Sequence, residues 1–496
     1  MSLINKKAFI ECNICEVRGW ISHNQSSPRD SSTEGQFRKA QGIDIGIRAR
    51  DLFPEGILVS ETQPKLAFQK TTRLLKDPHT VTLFEATFCT EDFVARADIV
   101  KKGRGGLAVF EVKSSLADTK EITKYVKDLA YTTMVIEQCG YVVKEANLLL
   151  ISREFRRGRR NIDLFEVVQA TTEVMNQKKQ WSTQLPHLVS VIKSKSRPTK
   201  AISYDCRNCE YLKSCFDLER KYSIFVLPNP RREIIDALLS QNKYFLSNLE
   251  DEDLKDNPLW KRIRNAVVNQ KRVVSNINLL RRKMQSLQYP IGYLDFETVS
   301  TVIPLYNDVA PLEAVPFQYS LHISKKAHGS LDHREFLFSV PSKDETHELA
   351  LRLVEDTMDC RTLMAHNAST EKRIIKWLAG RVETYSRVLS RRLLGLLSLF
   401  VDTKPLVKDH IYDPEFHGSF SIKDVLPALT RNMSYDKMAI ANGNDAQYVF
   451  ANLALGRYEP NEAIHKIHEL LEYCSLDTLA MVEIHKTLLE IASEIE

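Results

Sequence analysis

The sequence lacks the features that would mark a membrane or exported protein. No uninterrupted apolar run approaches the ~18 residues of a spanning helix, and the opening Met-Ser-Leu-Ile-Asn-Lys-Lys has no apolar segment of the signal-peptide kind. A cytoplasmic protein without a membrane partner is the resulting expectation. Cysteine is sparse, nine in 496 residues, too few for a disulfide framework. In a reducing compartment clustered cysteines point instead to metal, and five cluster: Cys12 and Cys15, then Cys206, Cys209 and Cys215. A strong excess of one charge is also missing. Lys plus Arg is 69 against 64 for Asp plus Glu, a net of +5, which permits a nucleic-acid partner without requiring one. Internal repeats and low-complexity tracts are absent as well.

What is present fits a soluble globular protein, with 43% hydrophobic and 27% charged residues. A chain of 496 residues exceeds what one hydrophobic core usually organises, so two or three domains are expected. Basic residues gather in two runs, one of Arg153, Arg156, Arg157, Arg159 and Arg160, the other from Lys261 to Lys283. Each reads as phosphate contacts or as a solvated face. Residues 1 to about 85 read as mixed helix and loop, with a polar stretch at 24–32. Three β-rich runs follow, beginning near 81, 93 and 106, then a helical pattern at 119–139 and a strand at 146–152. This is an α/β core. Residues 221–286 have the charge-laced look of a helical connector, and a second α/β unit starts at Tyr289-Pro290 and closes with an amphipathic helix at about 463–492. The expected division is a domain at 1–220, a connector at 221–286 and a domain at 287–496.

The run Tyr293-Leu-Asp-Phe-Glu-Thr-Val-Ser300 sets Asp295 and Glu297 two apart in an otherwise apolar strand. Side chains at i and i+2 of a strand share a face, so the carboxylates converge, and unpartnered they would repel each other and lose hydration. A hard cation is the expected partner, and two Mg²⁺ or Mn²⁺ ions need further oxygen ligands. Leu363-Met-Ala-His-Asn-Ala-Ser-Thr-Glu371 reads as a short strand running into a turn and helix start, delivering His366, Asn367 and Glu371 to the strand's carboxyl end. Tyr473-Cys-Ser-Leu-Asp477 places a phenol and a carboxylate on one helix face by its i, i+4 spacing. Singly these pieces are commonplace. Their order carries the weight.

That order resembles the DEDD superfamily of 3′-to-5′ exonucleases, the DnaQ-like branch of the ribonuclease H-like fold, and the tyrosine resembles its DEDDy subgroup. The resemblance implies that Asp295, Glu297, Glu371 and Asp477 hold two metal ions while Tyr473 orients the attacking water. Glu371 departs from the aspartate usual at the second motif.

Asp98 lies in the second β run, and Glu111 and Lys113 end the third, beyond a Lys-Lys-Gly-Arg-Gly-Gly hairpin. Neighbouring strands would bring Asp98 to Glu111, with Lys113 on the same face as Glu111. Carboxylates there can bind a metal, and the lysine can position water or stabilise phosphate charge. This resembles the PD-(D/E)XK nucleases, of restriction-endonuclease-like fold. Cys206-x2-Cys209-x5-Cys215, with Cys15 five residues before Trp20, resembles the iron–sulfur RecB-like nucleases of CRISPR adaptation and of the AddAB helicase-nuclease. The resemblance implies that Cys15, Cys206, Cys209 and Cys215 ligate a [4Fe–4S] cluster tying the domain's ends. Structural zinc is the alternative metal, and Cys12 the alternative to Cys15. Asp128 and Tyr131 fall where that family has a Gln-x-x-Tyr motif, so Tyr131 carries over to the substrate groove while Asp128 departs. Cys89, Cys139, Cys360 and Cys474 read as packing residues.

Together the resemblances imply a two-headed, metal-dependent DNA nuclease, 3′-to-5′ in its C-terminal domain and acting on 5′ ends or single strands in its N-terminal domain. Its partners would be DNA ends and the proteins of a repair, recombination or defence system. Alternatives are an RNA 3′-end exonuclease with an N-terminal binding module, and a non-catalytic DNA-end scaffold; the intact acids count against the scaffold.

Overall fold

In the computed structural model, which describes residues 2–25, 32–430, 433–435 and 438–494, the chain divides into two compact units. These are Met1–Ala201 with Ser300–Glu313, and Ile202–Val299 with Ala314–Glu496. Both are mixed α/β. Most of the polar stretch at 24–32 lies outside the described residues.

The first unit carries one sheet whose strands lie in chain order: β1 (Ile57–Leu58), β2 (Thr82–Cys89), β3 (Val94–Gly103), β4 (Gly106–Leu116), β5 (Val143–Ile151) and β6 (Phe165–Gln169). Around it are α1 (Lys6–Ile14), α2 (Glu16–Asn24), α3 (Thr33–Ala49), α4 (Pro64–Lys76), α5 (Ile122–Gln138), α6 (Thr171–Ser182) and α7 (Leu185–Ile192). Alternating apolar residues make β2 to β4 an antiparallel meander, closed between β3 and β4 where Gly103 pairs with Gly106 and Gly105 takes φ +79°. β4 and β5 run parallel, as a crossover through α5 requires. Phe9 of α1 packs edge-on against Phe93 and Trp181, with ring centroids 5.9 and 4.9 Å away. Tyr131 belongs to this core rather than to a groove: it is fully buried, and its hydroxyl lies 2.7 and 3.0 Å from the carbonyl oxygens of Ile4 and Val94. The sequence spacing placed it correctly on α5 but could not show that this face of the helix turns inward.

The second unit is built on β8 (Ile291–Val299), β9 (Val315–Ser324), β10 (Leu331–Leu337), β11 (Thr362–Ala365) and β12 (Phe400–Asp402), in the order β10-β9-β8-β11-β12. A separate ribbon pairs β7 (Val273–Val274) with β13 (Ile411–Tyr412). β8 is antiparallel to β9 and parallel to β11. Its helices are α8 (Leu212–Phe216), α9 (Arg232–Ser240), α10 (Pro258–Asn269), α11 (Ile277–Gln285), α12 (Thr346–Asp356) and α13 (Ser369–Glu383). They continue with α14 (Arg387–Leu396), α15 (Thr403–His410), α16 (Ile422–Thr430), α17 (Gly443–Ala454) and the long α18 (Pro460–Ser493), which packs along β8 and β9.

Residues 221–286 are part of this unit. Arg262 donates to the carbonyl of Lys408 at 2.6 Å, Arg272 pairs with Asp413 at 2.9 Å, and Arg281 donates to the carbonyl of Ala492 at 2.8 Å. Those basic residues hold the unit together instead of forming a solvated face. The arginine run of the first unit is also engaged locally: Arg153 with Asp118, Arg160 with Asp163, and Arg157 with the carbonyl of Leu305. Among the described residues no helix is long and apolar enough to cross a membrane.

Candidate functional site

The period of β8 sends Asp295 and Glu297 to one face of the central strand of the second unit's sheet, opposite Ser320 and Gln318 of β9. Asp477 reaches them from α18, and one oxygen from each of the three carboxylates lies within 4.8 Å of the others. Tyr473, one turn earlier on α18, is buried on the same side, as the i, i+4 spacing requires. Gly443, the first residue of α17, brings that helix against Glu297: a Cβ there would stand 3.5 Å from Glu297 Oε2.

Burial and mutual repulsion dominate the electrostatics. Asp295 is pushed well above the usual carboxylate range by burial, then by Asp477, Glu297 and Glu371. Glu297 rises to about 8 through burial and Asp477, and Asp477 to about 6 through burial, although Tyr435 and Lys423 oppose the rise. Tyr435 donates to Asp477 Oδ1 at 2.5 Å. Three converging carboxylates offer the charge and the oxygen donors that a hard divalent ion takes.

Glu371, in the first turn of α13, stands outside the converging trio but close enough to raise two of its members. It is 3% exposed, and its Oε2 has no hydrogen-bond partner among the described residues. Burial carries it to about 7, with Asp402 adding repulsion. Asp402 caps the following helix and accepts from the backbone N–H groups of Asn367 at 2.9 Å, Ala368 at 3.1 Å and Lys404 at 3.0 Å. This fixes the turn from which Glu371 starts. His366 is engaged on both ring nitrogens, with Thr403 Oγ1 at 2.9 Å and the Phe420 carbonyl at 2.8 Å, so it ties the turn before α13 to the segments bearing Thr403 and Phe420. Lys423, Tyr435 and Asp402 have no motif in the sequence; tertiary contact alone brings them here.

In the first unit the β3–β4 ladder sets Asp98 and Glu111 side by side. Ile99 pairs with Phe110, and Asp98 Oδ2 accepts from the Val112 N–H at 2.7 Å. Glu111 is 3% exposed, and its Oε1 receives Lys6 at 2.5 Å and Lys113 at 3.0 Å while Oε2 has no partner among the described residues. Burial raises Glu111, but the two ammonium groups outweigh it and hold its carboxyl below the usual range. Asp98 rises to about 7 through burial and the nearby Glu111. Lys113 also donates to Asp128 Oδ2 at 2.7 Å, so the residue that departs from the family motif touches the cluster. Lys6, from the first turn of α1, has no sequence signal pointing to it.

The cysteines behave unequally. Cys12 is 3% exposed beneath Gly19, where a Cβ would come within 2.2 Å of the Cys12 Cβ, and burial pushes its thiol up to about 12. A thiol so enclosed is a poor source of thiolate. Cys15 is only half-buried between α1 and α2. Cys206, Cys209 and Cys215 are likewise half-buried on the short turns before and within α8, where the Cys209 N–H donates to the Cys206 carbonyl at 3.1 Å. Cys15 belongs to the first unit and the other three to the second. Cys360 and Cys474 are buried packing residues.

Residues 292–421 match a family described as "Domain of unknown function (DUF2779)". The match takes in Asp295, Glu297 and Glu371 and ends before Lys423, Tyr473 and Asp477. No curated protein matches the chain.

Proposed function

We propose that the chain is a metal-dependent nuclease with two heads, a ribonuclease H-like 3′-to-5′ exonuclease in the second unit and a PD-(D/E)XK nuclease in the first. One observation carries the reading: Asp295, Glu297 and Asp477 converge from a central strand and a distant helix, with Tyr473 one turn from Asp477. Converging carboxylates withdrawn from water either take up protons or meet a cation, and a divalent ion relieves their repulsion while leaving them ionised. Divalent Mg²⁺ or Mn²⁺, when bound, supplies Lewis acidity to the phosphate and a more acidic water. Asp295, Glu297 and Asp477 would hold it, and Glu371, whose Oε2 has no hydrogen-bond partner among the described residues, would complete the oxygen set. Tyr473, buried beside Asp477, would orient the attacking water.

At the first head Asp98 and Glu111 supply the acids. Lys113, held between Glu111 and Asp128, is placed to stabilise charge on a phosphate. Cys206, Cys209 and Cys215, half-buried on neighbouring turns of the second unit, are proposed ligands of a [4Fe–4S] cluster. DNA is the proposed substrate, and repair or defence against foreign DNA the setting. The test is digestion of end-labelled single-stranded DNA, duplex DNA and RNA in Mg²⁺, Mn²⁺ or EDTA. Metal-dependent release of nucleotides from DNA supports the reading, RNA-only release moves the substrate to RNA, and no release with any substrate refutes it.

A further inference from the structure

Lys423 lies in the first turn of α16, half-buried beside the acids of the second unit. Its charge acts on Asp477, Glu297, Asp445 and Asp295. Yet among the described residues its one hydrogen-bond acceptor is the carbonyl of Ala441, at 2.5 Å, and no ion pair joins it to those acids. The rings of Tyr435 and Tyr473 flank the ammonium, with centroids 5.4 and 5.2 Å from Nζ. The arrangement contrasts with the first unit, where Lys6 and Lys113 dock directly on Glu111. An ammonium has three donors. Here the two rings and one carbonyl hold it near the carboxylates but beyond ion-pair distance, with donors to spare.

Four ionised acids and two divalent cations would cancel in charge. A phosphodiester bound at these metals brings one further negative charge, which grows as water adds to phosphorus. We infer that Lys423 is a catalytic residue of the second head, donating to a non-bridging oxygen of the phosphate being cleaved; the inference rests on the nuclease reading of that site. In the step it assists, the water oxygen bonds to phosphorus and the P–O3′ bond breaks. The water's proton leaves to solvent, the departing 3′ oxygen takes one up, and Lys423 keeps its own protons throughout.

The experiment compares the full-length protein with Lys423→Ala, Lys423→Met and Lys423→Arg. Three quantities are measured in Mn²⁺: kcat on a 5′-labelled single strand, affinity for thymidine monophosphate against thymidine, and Mn²⁺ affinity by calorimetry. Thermal unfolding confirms that each variant is folded. The inference expects Lys423→Ala and Lys423→Met to lose about 10²-fold or more in kcat and about tenfold in monophosphate affinity. Thymidine and Mn²⁺ binding should be undiminished, and Lys423→Arg should recover part of the loss. It is overturned if the wild type digests DNA while Lys423→Ala stays within about threefold of it. It is equally overturned if Mn²⁺ affinity falls in step with kcat and arginine restores nothing, which would make the residue structural. A wild type that neither digests DNA nor binds the monophosphate removes the nuclease reading itself, and the inference with it.

Discussion

Glu111 and Glu371 share a signature at the scale of single residues: each is buried, and each has an Oε2 without a hydrogen-bond partner among the described residues. Leaving such an oxygen unmet costs about 1–3 kcal/mol or more, a cost that a bound cation removes. Glu371→Gln keeps the volume and deletes the charge. Metal-free, the variant should unfold at the same temperature as wild type or higher, while calorimetry should find Mn²⁺ bound at least about tenfold more weakly. Equal Mn²⁺ affinity would remove Glu371 from the site. The acids themselves were legible, because the two-residue period of a strand and the four-residue period of a helix fix which side chains share a face. Lys6, Lys423 and Tyr435 were not, because each meets its acid through contacts distant in sequence: 105 residues separate Lys6 from Glu111 and 42 separate Tyr435 from Asp477. Tyr435→Phe removes the donor to Asp477 and so relieves nothing of that acid's burial. Mn²⁺ affinity at fixed pH should therefore shift by less than in Glu371→Gln, and a larger loss would make Tyr435 the more important of the two.

At the scale of elements, the strands and the closing helix were readable and the middle of the chain was not. Alternation marked β2 to β4, and the hairpin glycines fixed their register, so Asp98 and Glu111 met as their spacing predicted. The final helix runs Pro460–Ser493, close to the pattern at about 463–492. Residues 221–286 read as a charge-laced connector because amphipathic helices show one apolar face without naming its partner. Folded, they are stitched to the second unit by Arg262, Arg272 and Arg281. The turns bearing Cys206, Cys209 and Cys215 have few apolar residues of their own, with Leu212 buried among them. A cluster held there should matter locally. Protein purified without oxygen should contain iron and absorb broadly in the visible range, and Cys209→Ser should lose both while the second head keeps its activity. Stoichiometric zinc without iron would replace the cluster by a zinc site, and unchanged metal content in Cys209→Ser would take that residue out of the ligand set.

For the whole molecule, the raised acids couple stability to pH and to metal. A carboxyl whose pKa is higher folded than unfolded holds its proton more tightly in the folded chain, so stability falls as pH rises between the two values. Glu297 at about 8, Glu371 at about 7 and Asp477 at about 6 place that window from the ordinary carboxylate range up to about 8. Metal-free protein should therefore lose stability from pH 5 to pH 8 on account of these groups. Mn²⁺ should raise its melting temperature more at pH 8 than at pH 5, where protons compete for the same oxygens; each 1 kcal/mol corresponds to about 2–4 °C for a unit of this size. A metal shift equal at the two pH values would place the ion elsewhere. The two acidic clusters belong to different compact units, and separability of their activities is the central claim. The most direct test follows nucleotide release from 5′-labelled single-stranded DNA in Mn²⁺ by wild type, Asp295→Ala and Lys113→Ala. The account predicts that Asp295→Ala loses stepwise shortening from the 3′ end by about 10²-fold or more, and that Lys113→Ala retains it while losing cleavage from the 5′ end or within the strand. Unchanged 3′ shortening in Asp295→Ala, or loss of the same activity in both variants, would contradict it.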